Sequence, residues 1–266
     1  MSWRAMFVLC SSLLLACAAI SGSHNKPEEG KMFDQETDER DLICFQHGTA
    51  ARLNWDDGKI VGIGAEVSET ICTLALWRED DTDDTGIGSA IYDIKQGHIV
   101  PIYGRLYKLV KFKLEDPEIK RSRGPFWVGS GDKACFSRVS VGEPRLDADA
   151  VAVTVGGRAE FKRDKVELWV ERIEMEGGTA VAEVKAHPSV YALGEAEEKG
   201  LVRCKRVRAG EELVIDLPKI DFHEIYLPET DLPEKATGQV RRFRRKVVSV
   251  VAPAANGPIG WIELKE

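Results

Sequence analysis

Six consecutive residues, Arg241-Arg242-Phe243-Arg244-Arg245-Lys246, carry five cations and one aromatic ring. They stand out in a chain whose formal charge is −7, from 37 Lys and Arg against 44 Asp and Glu. If Val240 to Val251 forms one strand, Arg242, Arg244 and Lys246 line one face, while Arg241 and Arg245 flank Phe243. Three such cations in a row could hold phosphate, sulfate or uronate groups, with Phe243 stacked against a ring. Lys205, Arg206 and Arg208 would extend the patch, and Glu211 and Glu212 would neutralise it. The competing reading is an edge strand whose charge keeps it from pairing with other chains, and the pattern favours that reading.

The acidic run Asp80, Asp81, Asp83 and Asp84 offers a second chemistry. Clustered carboxylates ahead of a glycine turn can supply the oxygen ligands that Ca²⁺ takes. Asp81, Asp83, Thr85 and Gly86 match the opening of a calcium loop, and Glu66 and Glu69 could complete an atypical site. The twelfth position, where a bidentate acid belongs, is Tyr92, and Asp93 comes one place late. The partial match fits a solvated acidic loop better than a metal site.

Other patterns are weaker. The chain has no phosphate-binding Gly-x-x-x-x-Gly-Lys-Ser/Thr loop, no Gly-x-Ser-x-Gly elbow and no His-Glu-x-x-His. Its 5 histidines, His24, His47, His98, His187 and His223, are scattered. Cys44 and His47 are three apart, which on a strand sends them to opposite faces. Carboxylate pairs suited to glycoside hydrolysis need a separation of about 5–9.5 Å, and among 44 acids the sequence singles out none. Trp55, Trp77, Trp169 and Trp261 sit where core packing is expected. Trp127, in Gly124-Pro-Phe-Trp-Val-Gly, reads instead as a loop or edge residue that could serve as a ligand platform.

The N-terminus reads as an address. Arg4 is the sole charge among the first 23 residues, and an apolar stretch from Ala5 to Ile20 follows it. That is the layout of a signal peptide, expected over residues 1–16, and is short for a span that needs about 20 apolar residues. Leu14-Leu15-Ala16-Cys17 resembles a bacterial lipobox, and the resemblance implies cleavage before Cys17 and lipidation of its thiol. Ordinary cleavage after Ala18 or Ser21, giving a secreted soluble protein, is the alternative. Residues 17–40 then read as a flexible tether with too few apolar side chains to order itself.

Beyond the leader remain Cys44, Cys72, Cys135 and Cys204, an even number that in an exported chain suggests two disulfides. Cys44 with Cys72 is the preferred pair, and Cys204, sharing a face with Val202, reads as a buried free thiol.

The elements that must position these residues are mostly strands. The chain has 266 residues with 43% apolar and 30% charged side chains, enough for a sizeable core. Period-two alternation dominates from residue 42 onward. Val166, Leu168 and Val170 face one way and Glu167 and Glu171 the other. Leu213, Ile215 and Leu217 alternate likewise, as do Ala180, Ala182, Val184 and Ala186. Ile71 to Trp77 reads as a central strand, and Leu106, Lys108, Val110 and Phe112 are expected to share one face. Gly157 and Gly178 each suggest a hairpin, and Leu193 to Gly200 a short helix. The expected class is all-β, mostly antiparallel, in sandwich or barrel-like units. An interruption at Val141 to Ala148 suggests β domains over 41–140 and 141–266, with one large sandwich as the alternative.

The acidic balance argues against nucleic acid as the main partner. The chain therefore reads as an exported protein of a bacterial envelope, a binding or structural β module whose partner is an envelope protein or an anionic glycan. A secreted hydrolase whose site assembles from distant strands, and a calcium-dependent adhesion domain, are the alternatives.

Overall fold

Val166, Leu168 and Val170 are fully buried while Glu171 and Arg172 are exposed, so the alternation of this segment does produce a strand with one apolar face. The same logic builds most of the chain. The structure, a computed structural model, describes residues 42–54, 60–78, 87–122, 131–139, 150–220 and 240–266. The leader with Cys17, the tether, Asp80, Asp81, Asp83 and Asp84, Trp127 and the 141–148 interruption lie outside the described residues.

The N-terminal strands are β1 (Leu42–Gln46), β2 (Ala50–Asn54), β3 (Ile60–Val67), β4 (Cys72–Arg78), β5 (Ile87–Ile94), β6 (Ile99–Ile102), β7 (Arg105–Lys113) and β8 (Lys133–Arg138). A short helix, α1 (Pro117–Ser122), follows β7. After β8 come β9 (Val151–Thr154), β10 (Arg158–Phe161), β11 (Val166–Glu176) and β12 (Thr179–Pro188). Helix α2 (Leu193–Glu198), β13 (Arg203–Arg208), β14 (Glu212–Pro218), β15 (Val240–Val251) and β16 (Trp261–Lys265) complete the described elements.

Three sheets result. A central eight-stranded sheet runs β13-β12-β11-β10-β5-β4-β3-β2, and two four-stranded sheets run β1-β8-β7-β6 and β14-β15-β16-β9. Every pairing between these strands is antiparallel, as the alternation requires. β4 lies inside the central sheet, as its near-continuous apolar run implies.

Two cores form on one side of the central sheet. The first joins Phe45, Ile63, Leu74, Ile91, Leu109 and Phe136 with their neighbours; the second joins Phe161, Leu168, Val184, Leu213, Phe243 and Ile262 with theirs. Their buried members divide at the 141–148 interruption, yet β5 pairs with β10, so one sheet runs through both. Ala159 stands opposite Ser89, and Ile91 shares the Ser89 face, which places both cores on the same side. Truncating a wholly buried side chain such as Leu168 to Ala would cost about 2–5 kcal/mol.

Several local expectations are corrected. A bulge at Val110 resets the alternation of β7, so Tyr107, Leu109 and Phe112 face the first core, while Leu106 packs on Ile99 and Trp261. Gly177 and Gly178, at φ 57° and 85°, do close the tight β11–β12 hairpin. Gly157 instead turns the chain from β9 into a different sheet, because β9 pairs with β16 and β10 with β5 and β11. Cys44 bonds Cys135, not Cys72. These two residues face each other in the β1–β8 register, whereas Cys72 lies buried in β4 as a free thiol. Cys204 is free but exposed, on the outer edge strand β13, so it is not the buried thiol expected, and one disulfide forms rather than two.

Candidate functional site

The basic row on β15 forms as the alternation dictates. Arg242, Arg244 and Lys246 are exposed, and Phe243 between them is fully buried. The structure thereby corrects the expectation that Phe243 stacks on a ligand. Its ring packs 5.0 Å from Phe161 in the core, with the Arg245 guanidinium 4.7 Å from its centroid on the inner side. Arg245 is tied down by Asp164 at 2.5 Å. Two cations of the row are matched by acids of β14. Arg242 makes a two-pronged bond to Asp216, at 2.7 and 3.1 Å, and Arg244 lies 3.6 Å from Glu212. The hydrogen bonds and charge of Arg242 hold the Asp216 carboxyl below its usual range. β15 also lies between β14 and β16, so it is not the protected edge strand anticipated.

The exposed basic edge is β13. There Arg206 and Arg208 bond Glu176, Arg208 also lies 3.8 Å from Glu211, and Arg203 donates to the carbonyls of Gly200 and Val202. Glu211 and Glu212 thus neutralise cations, as their placement suggests, but on two different strands. Glu66 and Glu69 are exposed, and no group of three metal-ligating side chains occurs among the described residues.

A second surface emerges on the outer face of the central sheet. Strand parity puts Trp77 of β4, Gly88, Ala90 and Tyr92 of β5, Arg158 and Glu160 of β10, and Trp169 of β11 on this face. Both small sheets pack on the opposite side, so among the described residues no sheet covers it. Trp77 lies flat over β3, since a Cβ on Gly62 would fall 2.0 Å from its Cε2. Glycine at 62 is therefore what lets the indole lie down on the sheet. Tyr92 reaches the outer face because a bulge at Tyr92 and Asp93, the latter at φ 53°, lets Ile94 return to the core. The Tyr92 and Trp169 rings are parallel within 4°, their centroids 6.0 Å apart, and the Arg158 guanidinium sits 5.7 Å from the Trp169 centroid.

Beneath these rings Glu167 anchors the group. Its Oε2 accepts from Arg158 at 2.9 Å and its Oε1 from the Trp169 indole N–H at 2.7 Å, with His187 Nε2 3.2 Å away. His187 is fully buried, and its Nδ1 approaches the Pro188 carbonyl at 3.0 Å. Burial alone would raise the Glu167 carboxyl. The His187 ring beside it, the Trp169 hydrogen bond and the Arg158 guanidinium together outweigh it and hold the acid below its usual range. The cluster fixes the aromatic group to three strands at once.

The sequence points to Trp77 and Trp169 as core residues, and both instead stand partly exposed on the outer face. The signal was present for Trp169, which shares the parity of Glu167 and Glu171 beside core residue Leu168, but not for Trp77, whose outward neighbours on β4 are Thr73 and Ala75. A separate concavity, lined by Lys165, Val166, Pro188, Val190, Leu217 and Arg241, has room for about one water molecule. Comparison with protein-family models, with curated proteins and with solved structures finds no match.

Proposed function

We propose that this chain is an exported protein of a bacterial envelope, held at the membrane through acyl chains on Cys17, and that it acts there as a non-catalytic binding module. The observation that carries the export reading is the Cys44–Cys135 disulfide, which joins strands 91 residues apart in sequence. Such bonds persist in oxidising compartments and are rare where thioredoxin and glutathione keep thiols reduced. The leader-like N-terminus supports the same compartment independently.

The binding reading is supported by the shape of the molecule's polar chemistry. Its concentrated side-chain groups lie on broad sheet faces: the β15 row on one side and the aromatic, arginine-bearing face on another. Hydrolysis of a glycoside by two carboxyl groups would need one of them kept protonated beside the other. Glu160 and Glu167 do stand opposite each other across β10 and β11. Both oxygens of Glu167, however, are already bonded, one to Arg158 and one to Trp169.

The test is fractionation of bacterial cells producing the full chain and its Cys17→Ser variant. The proposal expects the native chain in the membrane pellet with Cys44 and Cys135 protected from alkylation until a reductant is added. It expects Cys17→Ser to lose the membrane association. Recovery of the native chain in the cytosol with both thiols reactive would overturn the proposal.

A further inference from the structure

We propose that the outer face of the central sheet is a platform for a neutral glycan chain. This rests on the binding-module reading above and names its ligand class. Glycine within a strand weakens it and is retained where something must approach the backbone closely. At Gly88, in the middle of this face, a Cβ would meet nothing within 4 Å among the described residues. The space above it belongs to no neighbouring side chain of the described protein.

What surrounds that opening has the chemistry of sugar recognition. Trp77 lies directly across from Gly88 in the β4–β5 register, and its ring leans away over Gly62. On the other side stand the parallel rings of Tyr92 and Trp169. Trp77 and Trp169 are separated by three strand spacings, about 14 Å, so the two aromatic positions suit an extended ligand rather than a single ring. Flat aromatic faces take the C–H faces of pyranose rings, and the hydroxyls then project toward groups at the ring edges.

Those edge groups are Arg158 and Glu160, one donor and one acceptor, adjacent on β10 to Ala90 and Gly88. Arg158 is held by Glu167 through one terminal nitrogen and its side chain is 43% exposed, so its remaining donors are oriented before any ligand arrives. Its charge is also compensated. The nearby cations of the face are matched in the same way, Lys185 by Glu171 and Glu197, and Arg172 by Glu174 and Glu183. A face whose cations are each matched by carboxylates, with rings set apart, suits a neutral hydroxyl-rich chain and offers a polyanion no net attraction.

The test is isothermal titration of the detergent-solubilised full chain with cellohexaose, xylohexaose and chitohexaose. At least one of the three should bind saturably. Gly88→Val should abolish that binding while leaving the melting temperature unchanged or higher, because the added side chain fills ligand space and favours the strand. Trp77→Ala should weaken binding at least 10-fold, in the range seen when a ring contact is lost. Absence of binding by all three hexasaccharides at millimolar concentration would overturn the proposal. So would binding that Gly88→Val leaves intact, or saturable capture of an uncharged apolar peptide in their place. None of these outcomes touches the membrane fractionation, so failure here is distinguishable from failure of the export reading.

Discussion

Glu167 and Trp169 sit two residues apart on β11, and the indole N–H of Trp169 donates to Glu167 Oε1 at 2.7 Å. The bond couples a nearly buried carboxylate to a ring that faces solvent. It makes the outer aromatic group part of the protein's stability as well as its surface.

Glu167→Gln should therefore destabilise the fold by about 1–3 kcal/mol, since it removes the charge that Arg158 and His187 face. Urea midpoints of the two proteins would measure it. Equal midpoints would mean the cluster is incidental.

The same carboxylate predicts a pH dependence. Its folded pKa is depressed, so the stability it contributes is complete above the ordinary glutamate value of about 4.3. That contribution is lost as pH falls from there through the lower folded value. The difference in unfolding free energy between native protein and Glu167→Gln should accordingly shrink on acidification below pH 4.3, as titrated by denaturant melts. A difference that stays constant to pH 3 would contradict the assignment.

Replacing Cys44 and Cys135 together with Ala should cost about 4–5 kcal/mol on a chain-entropy estimate for a loop of this length, 91 residues. Comparing denaturation of the double variant with that of the native protein gives the number directly. A loss below about 1 kcal/mol would mean that the disulfide constrains the unfolded chain little.

The two free thiols should behave oppositely. Burial pushes the Cys72 thiol up to about 12, so at pH 8 it is neutral and shielded. Cys204 is exposed on β13. Iodoacetamide at pH 8 should label Cys204 in the folded protein and reach Cys72 only on unfolding, as peptide mass mapping would show. Labelling of both at similar rates would indicate that β4 opens readily.

On β15 the acids decide how much anion the row can hold. Asp216→Asn with Glu212→Gln should increase retention on heparin, because Arg242 and Arg244 lose their present partners. Replacing Arg242, Arg244 and Lys246 with Ser should lower retention while leaving the fold intact. Retention indifferent to both sets would remove β15 from consideration as an anion surface.

Much of this architecture was legible in the sequence because burial on one face leaves a period of two. The faces of β11, β12 and β14 and the extent of β15 all follow from it, while the short α2 helix is legible from its Glu-Ala-Glu-Glu-Lys stretch closed by Gly200. The failures share a cause, which is that pattern within a strand says nothing about its neighbours. Val110 gives no compositional sign of a bulge, yet one extra residue moves Phe112 off the face it was expected to share with Leu106. Cys44 meets Cys135 only because β1 pairs with β8. Phe243 was correctly separated from Arg242 and Arg244, but which side held the core depended on the sheet packed against it. The outer platform was hidden for the same reason, its parts being spread from Trp77 to Trp169 over strands whose order no local signal carries.

The most direct measurement of the central claim is the intact mass of the protein purified from the envelope fraction of producing cells. The account predicts a chain that begins at Cys17, carries acyl groups on that residue, and is lighter by the hydrogens lost in one disulfide between Cys44 and Cys135. A chain that keeps Met1 and has every thiol reduced would contradict it.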